Sequence, residues 1–134
     1  QYDSKDIPKL LNLLAKKKSG LVIGVRKKNI GLVKKIGNFI FTTLTSLIIK
    51  KKLKDSQSGF RALNIELAKK IHITSKYTYT QEQIIRTNWL GYSIYEVPIK
   101  FKKRKHGKSR LISNIFVYGF NAFYDIIKLI IHSK

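Results

Sequence analysis

The run Asp55-Ser56-Gln57-Ser58-Gly59-Phe60-Arg61-Ala62 places an acid, two hydroxyls, a glycine and an arginine within eight residues, between two apolar segments. A glycine beside an acid and an arginine suits a tight loop in which backbone and charge approach a ligand together. The same residues suit a capped turn. In that case the Asp55 carboxylate accepts from the Ser58 or Gly59 backbone, and Arg61 pairs with an acid of its own loop. A second run offers anion chemistry. Seven of the eleven residues from Lys100 to Arg110 are basic: Lys100, Lys102, Lys103, Arg104, Lys105, Lys108 and Arg110. Arg104 can grip phosphate oxygens with two parallel N–H groups, Lys108 adds charge, Ser109 adds a hydroxyl donor, and Gly107 lets the backbone fold over an anion. A solvated basic turn would carry the same residues.

Composition narrows the classes. The chain has 134 residues, enough for one modest domain with a core, and 43% of them are hydrophobic. Its net charge of +21 calls for an anionic partner: nucleic acid, an acidic lipid surface or a phosphorylated substrate. With no cysteine there is no disulfide framework and no thiolate metal site. The scattered His72, His106 and His132 do not make a histidine zinc site. The first apolar run, Leu10 to Leu14, is too short and too closely flanked by charge for a signal peptide. The nearest approach to a membrane span, Leu111 to Ile131, is interrupted by Asn114, Asn121, Asp125 and Lys128. A chain that starts at Gln1 and contains no methionine reads as a piece of a longer protein or a processed product.

These segments must be positioned by an α/β arrangement. Asp3 or Ser4 can cap a helix starting near Ile7, with Pro8 in its first turn and Lys16-Lys17-Lys18 at its end. Leu21 to Arg26 reads as a buried strand of a mixed sheet. Ile30 to Ile49 reads as a long helix so widely apolar that it is buried or touches lipid, with a break expected at its Thr42-Thr43 and Thr45-Ser46 pairs. Leu63 to Ile71 reads as a short helix. Gln81 to Leu90 reads as another, capped by Thr80 and closed by Gly91. Tyr92 to Phe101 alternates as a strand, where Pro98 demands an edge or a bulge. Tyr77, Tyr79 and Trp89 read as packing residues. A last helix, about Leu111 to Ile131, carries a wide face of Ile112, Ile115, Phe116, Phe120, Phe123, Ile126, Ile127 and Ile130. Tyr118 and Tyr124 suit headgroup level, and the flanks are lysine-rich. That pattern fits an anionic membrane interface, or packing on another part of the protein.

Taken together, Asp55 to Arg61, Glu82, Gly91 to Ile99 and Arg104 to Ser109 resemble the family 2 glycosyltransferases, in the dolichol-phosphate mannosyltransferase and polyprenyl-phosphate glycosyltransferase branch. Members carry Asp-x-x-Ser-Gly-Phe-Arg, a Glu on a following helix, a Gly-x-x-Ile-x-Glu-Val-Pro-Ile strand and an Arg-x-x-Gly-x-Ser loop, in this order and spacing. The resemblance covers nearly the whole chain but only part of the family's catalytic domain. It implies the C-terminal portion of a GT-A nucleotide-diphospho-sugar transferase fold over residues 1–110, followed by an amphipathic, membrane-interfacial helix over 111–134.

The resemblance also implies roles. The parent would move a sugar, mannose or glucose, from a nucleoside-diphosphate donor to dolichyl or another polyprenyl phosphate at the cytoplasmic membrane face. Asp55 would lie near the acceptor as base or as orienter of the nucleophile, and Glu82 would belong to the acceptor site. Arg26, Arg61, Arg104, Lys108 and Ser109 would bind donor or acceptor phosphate. Arg26 matches the Gly-x-Arg that opens the family's mobile acceptor loop, although Val25 stands where serine is usual and the loop is shorter. A magnesium or manganese ion is expected in the full-length parent, held by an Asp-x-Asp upstream of Gln1, so this chain alone would bind no metal and be inactive. Asp55 and Arg104 are expected on loops, where substitution would cut turnover and spare the fold. Two other readings remain: a small basic nucleic-acid-binding module, which the absence of a nucleic-acid motif disfavours, and a noncatalytic membrane-associated relative.

Overall fold

The computed structural model describes residues 1–27, 32–102 and 115–132. Arg104, Lys108 and Ser109 lie outside them. The architecture is α/β around a small mixed sheet, ordered β2-β1-β3. The central strand β1 (Leu21–Arg26) pairs antiparallel with β2 (Arg61–Leu63) and parallel with β3 (Ile94–Ile99), Leu21 facing Leu63 on one side and Ile94 on the other.

The continuous apolar run of β1 is explained by burial on both faces. Leu21 and Ile23 enter a core with Leu67, Ile84, Ile85, Ile94 and Leu129, while Val22 packs oppositely with Leu10 and Ile99. Helix α1 (Ile7–Lys16) supplies Leu10, with Pro8 in its first turn as expected; the Asp3 carboxylate accepts from the Lys5 amide of a preceding turn, Ser4–Asp6. Buried Asp6 accepts from the Lys100 amide at 2.8 Å, and Tyr2 bridges to Phe101, so the first residues lie against the end of β3.

Helix α2 (Leu32–Ile48) runs without the expected break. Its hydroxyls explain why. Thr45 and Ser46 bond back to the carbonyls four residues earlier, while Thr42 Oγ1 accepts from the Ser56 amide at 3.1 Å and Ser46 Oγ accepts from the Leu53 amide at 3.0 Å. These poor helix formers thus dock the Asp55 loop on the helix.

The expected helix from Leu63 divides. Residues 61–63 pair with β1, and α3 (Ile65–Lys70) starts only after Asn64, whose side chain accepts from the Glu66 amide. Helix α4 (Tyr79–Trp89) begins two residues earlier than expected, with Thr78 rather than Thr80 at the cap position. It ends as anticipated at Gly91, which takes φ +76°. Pro98 lies on the edge strand β3, as its missing donor requires. Tyr77, Tyr79 and Trp89 are exposed, contrary to a packing role. Helix α5 (Ile115–Ile131) buries Ala122 and Ile126 against Phe41 of α2, and its Leu129 reaches the main core. Phe120, Phe123 and Tyr124 remain exposed. No helix among the described residues is long and apolar enough to cross a membrane.

Candidate active site

The parallel strands β1 and β3 end side by side, with Arg26 opposite Ile99. In open α/β sheets this carboxyl edge is where ligands bind. Arg26 projects there and meets Asp55, which is 29 positions away in sequence. Nε donates to Oδ2 at 2.7 Å and Nη2 to Oδ1 at 2.8 Å, a two-pronged ion pair. Asp55 is only 3% exposed. Burial pulls the Arg26 pKa down, but the hydrogen bond and charge of Asp55 outweigh it, and the net shift is upward. Arg26 stays cationic. Among the described residues its Nη1 takes no hydrogen bond.

The Asp55 loop is held from several sides. Glu96 on β3 accepts from the amides of Lys54 and Asp55 at 2.8 and 3.2 Å, and Thr42 holds Ser56. Asp55 Oδ1 also accepts from the amide two residues on, which is Gln57 rather than Ser58 or Gly59. Gly59 is exposed, has no positive φ, and an added Cβ would meet only the Tyr79 hydroxyl at 3.5 Å. Among the described residues no contact requires glycine there.

Among the described residues Arg61 forms no ion pair with an acid. Its Nε donates to the Ser58 carbonyl, Nη2 to the Ser56 carbonyl, and Nη1 to the Thr80 carbonyl and to Gln83 Oε1. Burial lowers its pKa to about 10. Each guanidinium nitrogen is spent tying the loop to the start of α4.

Glu82 sits in the first turn of α4, and its carboxylate is fully subscribed. The amides of Thr74 and Ser75, the Thr74 hydroxyl and Arg86 Nε all donate to it. Burial pushes this carboxyl up, but the donors of Ser75, Arg86 and Thr74 prevail and hold it at about 2. It clamps residues 74–75 onto α4. Among the described residues no group of three or more His, Asp or Glu is placed to hold a metal ion. Asp55 and Glu82 also do not fit a divalent ion, since their oxygens already serve cations and amides.

Sequence reasoning gave Phe60, Phe101 and Tyr2 no role. The structure stacks Tyr2 on Phe60, centroids 5.0 Å apart, with Phe101 tilted against Tyr2 at 5.2 Å. The Arg26 guanidinium lies over Phe101, 5.5 Å from its centroid. Phe60 follows Gly59 and Phe101 follows the strand. Their adjacency to the two motifs was the available signal. The structure therefore unites Arg26 and Asp55, fastens Arg61 beneath their loop, and engages Glu82 elsewhere.

No protein-family model matches the chain, and no solved structure matches it significantly. Among curated proteins, it is 33% identical over 136 aligned positions to an uncharacterized protein of Methanocaldococcus jannaschii, covering 95% of this chain and 55% of the relative. It is 30% identical to a protein of Haloferax volcanii named dolichyl-phosphate hexose transferase, over 99% of this chain and 58% of the relative. It is 29% identical to a protein of Methanococcus voltae named UDP-N-acetylglucosamine–dolichyl-phosphate N-acetylglucosaminyltransferase, over 96% of this chain and 54% of the relative. The chain thus spans a little over half the length of the curated relatives it matches.

Proposed function

We propose that the chain is part of a GT-A-type family 2 glycosyltransferase that moves a sugar from a nucleoside-diphosphate donor to dolichyl or another polyprenyl phosphate at the cytoplasmic membrane face. The observation that carries this reading is the Arg26–Asp55 pair: a permanent cation, gripped on two nitrogens and resting on Phe101, at the carboxyl edge of the parallel strands. The names of two relatives, both dolichyl-phosphate transferases, support it.

The chemistry suits that geometry. A lipid phosphate is already an anion and needs no strong base. What it needs is a cation that holds it in line with the sugar while negative charge builds on the departing diphosphate. Arg26 supplies the cation through Nη1. Asp55, occupied on both oxygens, orients Arg26 rather than accepting a proton. Arg61 and Glu96 fix the loop that presents Asp55. Arg104, Lys108 and Ser109 would bind phosphate from the segment that follows β3. A magnesium or manganese ion would stabilise the leaving diphosphate, held by residues other than Asp55 and Glu82.

The test is turnover of the full-length protein with a nucleoside-diphosphate sugar and a polyprenyl phosphate. Arg26→Gln should raise KM for the lipid phosphate and lower kcat, on the order of a hundredfold in kcat/KM. Wild-type kinetics in a folded Arg26→Gln protein would sink the assignment.

A further inference from the structure

A cleft of about 540 Å³ opens between α2 and the turn that follows it. Its rim is cationic. Lys35, Lys50, Lys52 and Lys54 line it, and none of them is in an ion pair with a carboxylate among the described residues. Lys51 also borders the cleft, but its ammonium is committed to the Ile94 carbonyl and the Tyr95 ring. The C-terminal end of a helix repels anions with roughly half an elementary charge, which four ammonium groups outweigh. Asn38 also lines the cleft, and its Oδ1 is buried without a hydrogen-bond partner among the described residues.

Four cations around one cleft call for phosphate chemistry. The apolar lining identifies the source. Phe39 and Leu47 border the same cleft and are 72% and 70% exposed, and Ile36 and Ile40 of α2 are exposed beside them. A free phosphate gains nothing from these side chains, whereas the acyl chains of a lipid do. We infer that this cleft binds the phosphate of an acidic phospholipid headgroup, with α2 laid on the membrane alongside the lipid tails. The inference rests on the membrane setting proposed above and uses none of the Arg26–Asp55 residues.

The experiment is partition of the full-length protein onto phosphatidylcholine vesicles with and without phosphatidylglycerol. A cleft variant, Lys35→Gln with Lys50→Gln and Lys52→Gln, is compared with a control of equal charge, Lys16→Gln with Lys17→Gln and Lys69→Gln. The cleft variant should lose more than about tenfold in partition onto the anionic vesicles, and the control less than about threefold. Equal losses would reduce the effect to net charge and overturn the site. So would binding of glycerol phosphate as tight as that of vesicles, or a cleft-dependent affinity for duplex DNA without one for vesicles. Sugar transfer measured in detergent reads the transferase assignment separately. Its failure with selective vesicle binding intact would leave the headgroup site standing.

Discussion

Replacing Arg26 by lysine keeps the charge and removes the fork that grips Asp55. One of the two Asp55 contacts is then lost, and a carboxylate with 4% of its side-chain surface exposed is left partly unmet. We expect Arg26→Lys to destabilise the fold by about 1–3 kcal/mol in denaturant titration, with turnover falling further than stability explains. Asp55→Asn should cost more, about 3 kcal/mol, because it leaves the largely buried Arg26 cation without its counter-charge. A loop position read as dispensable for folding is therefore a structural one, and an unchanged denaturation midpoint in Asp55→Asn would contradict that. Glu82 makes a pH-dependent contribution. Its carboxyl protonates at about 2 in the fold against an ordinary 4.5, so its stabilisation is complete above 4.5 and disappears as pH falls toward 2. Glu82→Gln should lower stability at neutral pH and flatten the acid limb across that window. An acid limb identical to wild type would show the clamp to be idle. Arg26, Asp55, Arg61 and Glu82 were all legible as residues, but their partners were not. Arg26 and Asp55 meet across 29 positions, and only the packing of β1 beside the loop reveals that each answers the other.

At the scale of elements, two helices end unusually. Past α1 and α2 the chain turns through Lys18 at φ 47° and Lys50 at φ 52°, left-handed positions where glycine is usual. Lys18→Gly should stabilise the protein by about 1 kcal/mol by relieving that backbone strain, read as a higher denaturation midpoint. The opposite holds at Gly24. A Cβ there would stand 2.8 Å from Ile99 Cδ1 and 3.0 Å from the Phe60 carbonyl oxygen, between the strand end and the motif loop. Gly24→Ala should cost about 1–3 kcal/mol and displace Phe60, which a shift in the melting curve would register. The long regular elements could be read from the chain. Continuous apolar character marked β1, Pro8 marked the start of α1, and Gly91 marked the end of α4. Strand β2 escaped because three residues cannot display a period, and its pairing is dictated by β1 rather than by its own sequence. The α2 hydroxyls misled for a related reason. They weaken a helix in isolation, yet here they are the hydrogen-bonding surface on which the Asp55 loop is seated.

For the whole molecule, the +21 charge and the exposed apolar side chains of α2 and α5 belong together. On the membrane setting proposed above, lysines would draw the protein to an anionic surface, and the exposed Phe120, Phe123 and Phe39 side chains would hold it there once it arrives. Raising salt toward 1 M shrinks the screening length to about 3 Å, so capture onto anionic vesicles should slow steeply while release of bound protein changes less. Equal salt dependence of both rates would argue against that division of labour. The pairing of β1 with β3, and the latch between Asp6 and Lys100, have a different consequence, which concerns time. The two latch residues are 94 positions apart, and on a ribosome adding ~5–20 residues per second the second arrives roughly 5 to 20 s after the first. Until β3 is synthesised, β1 keeps one edge unpaired, and Ile94 and Ile99 are missing from the cores on its two faces. This is the window in which a nascent chain is claimed by chaperones or by its own neighbours on the polysome.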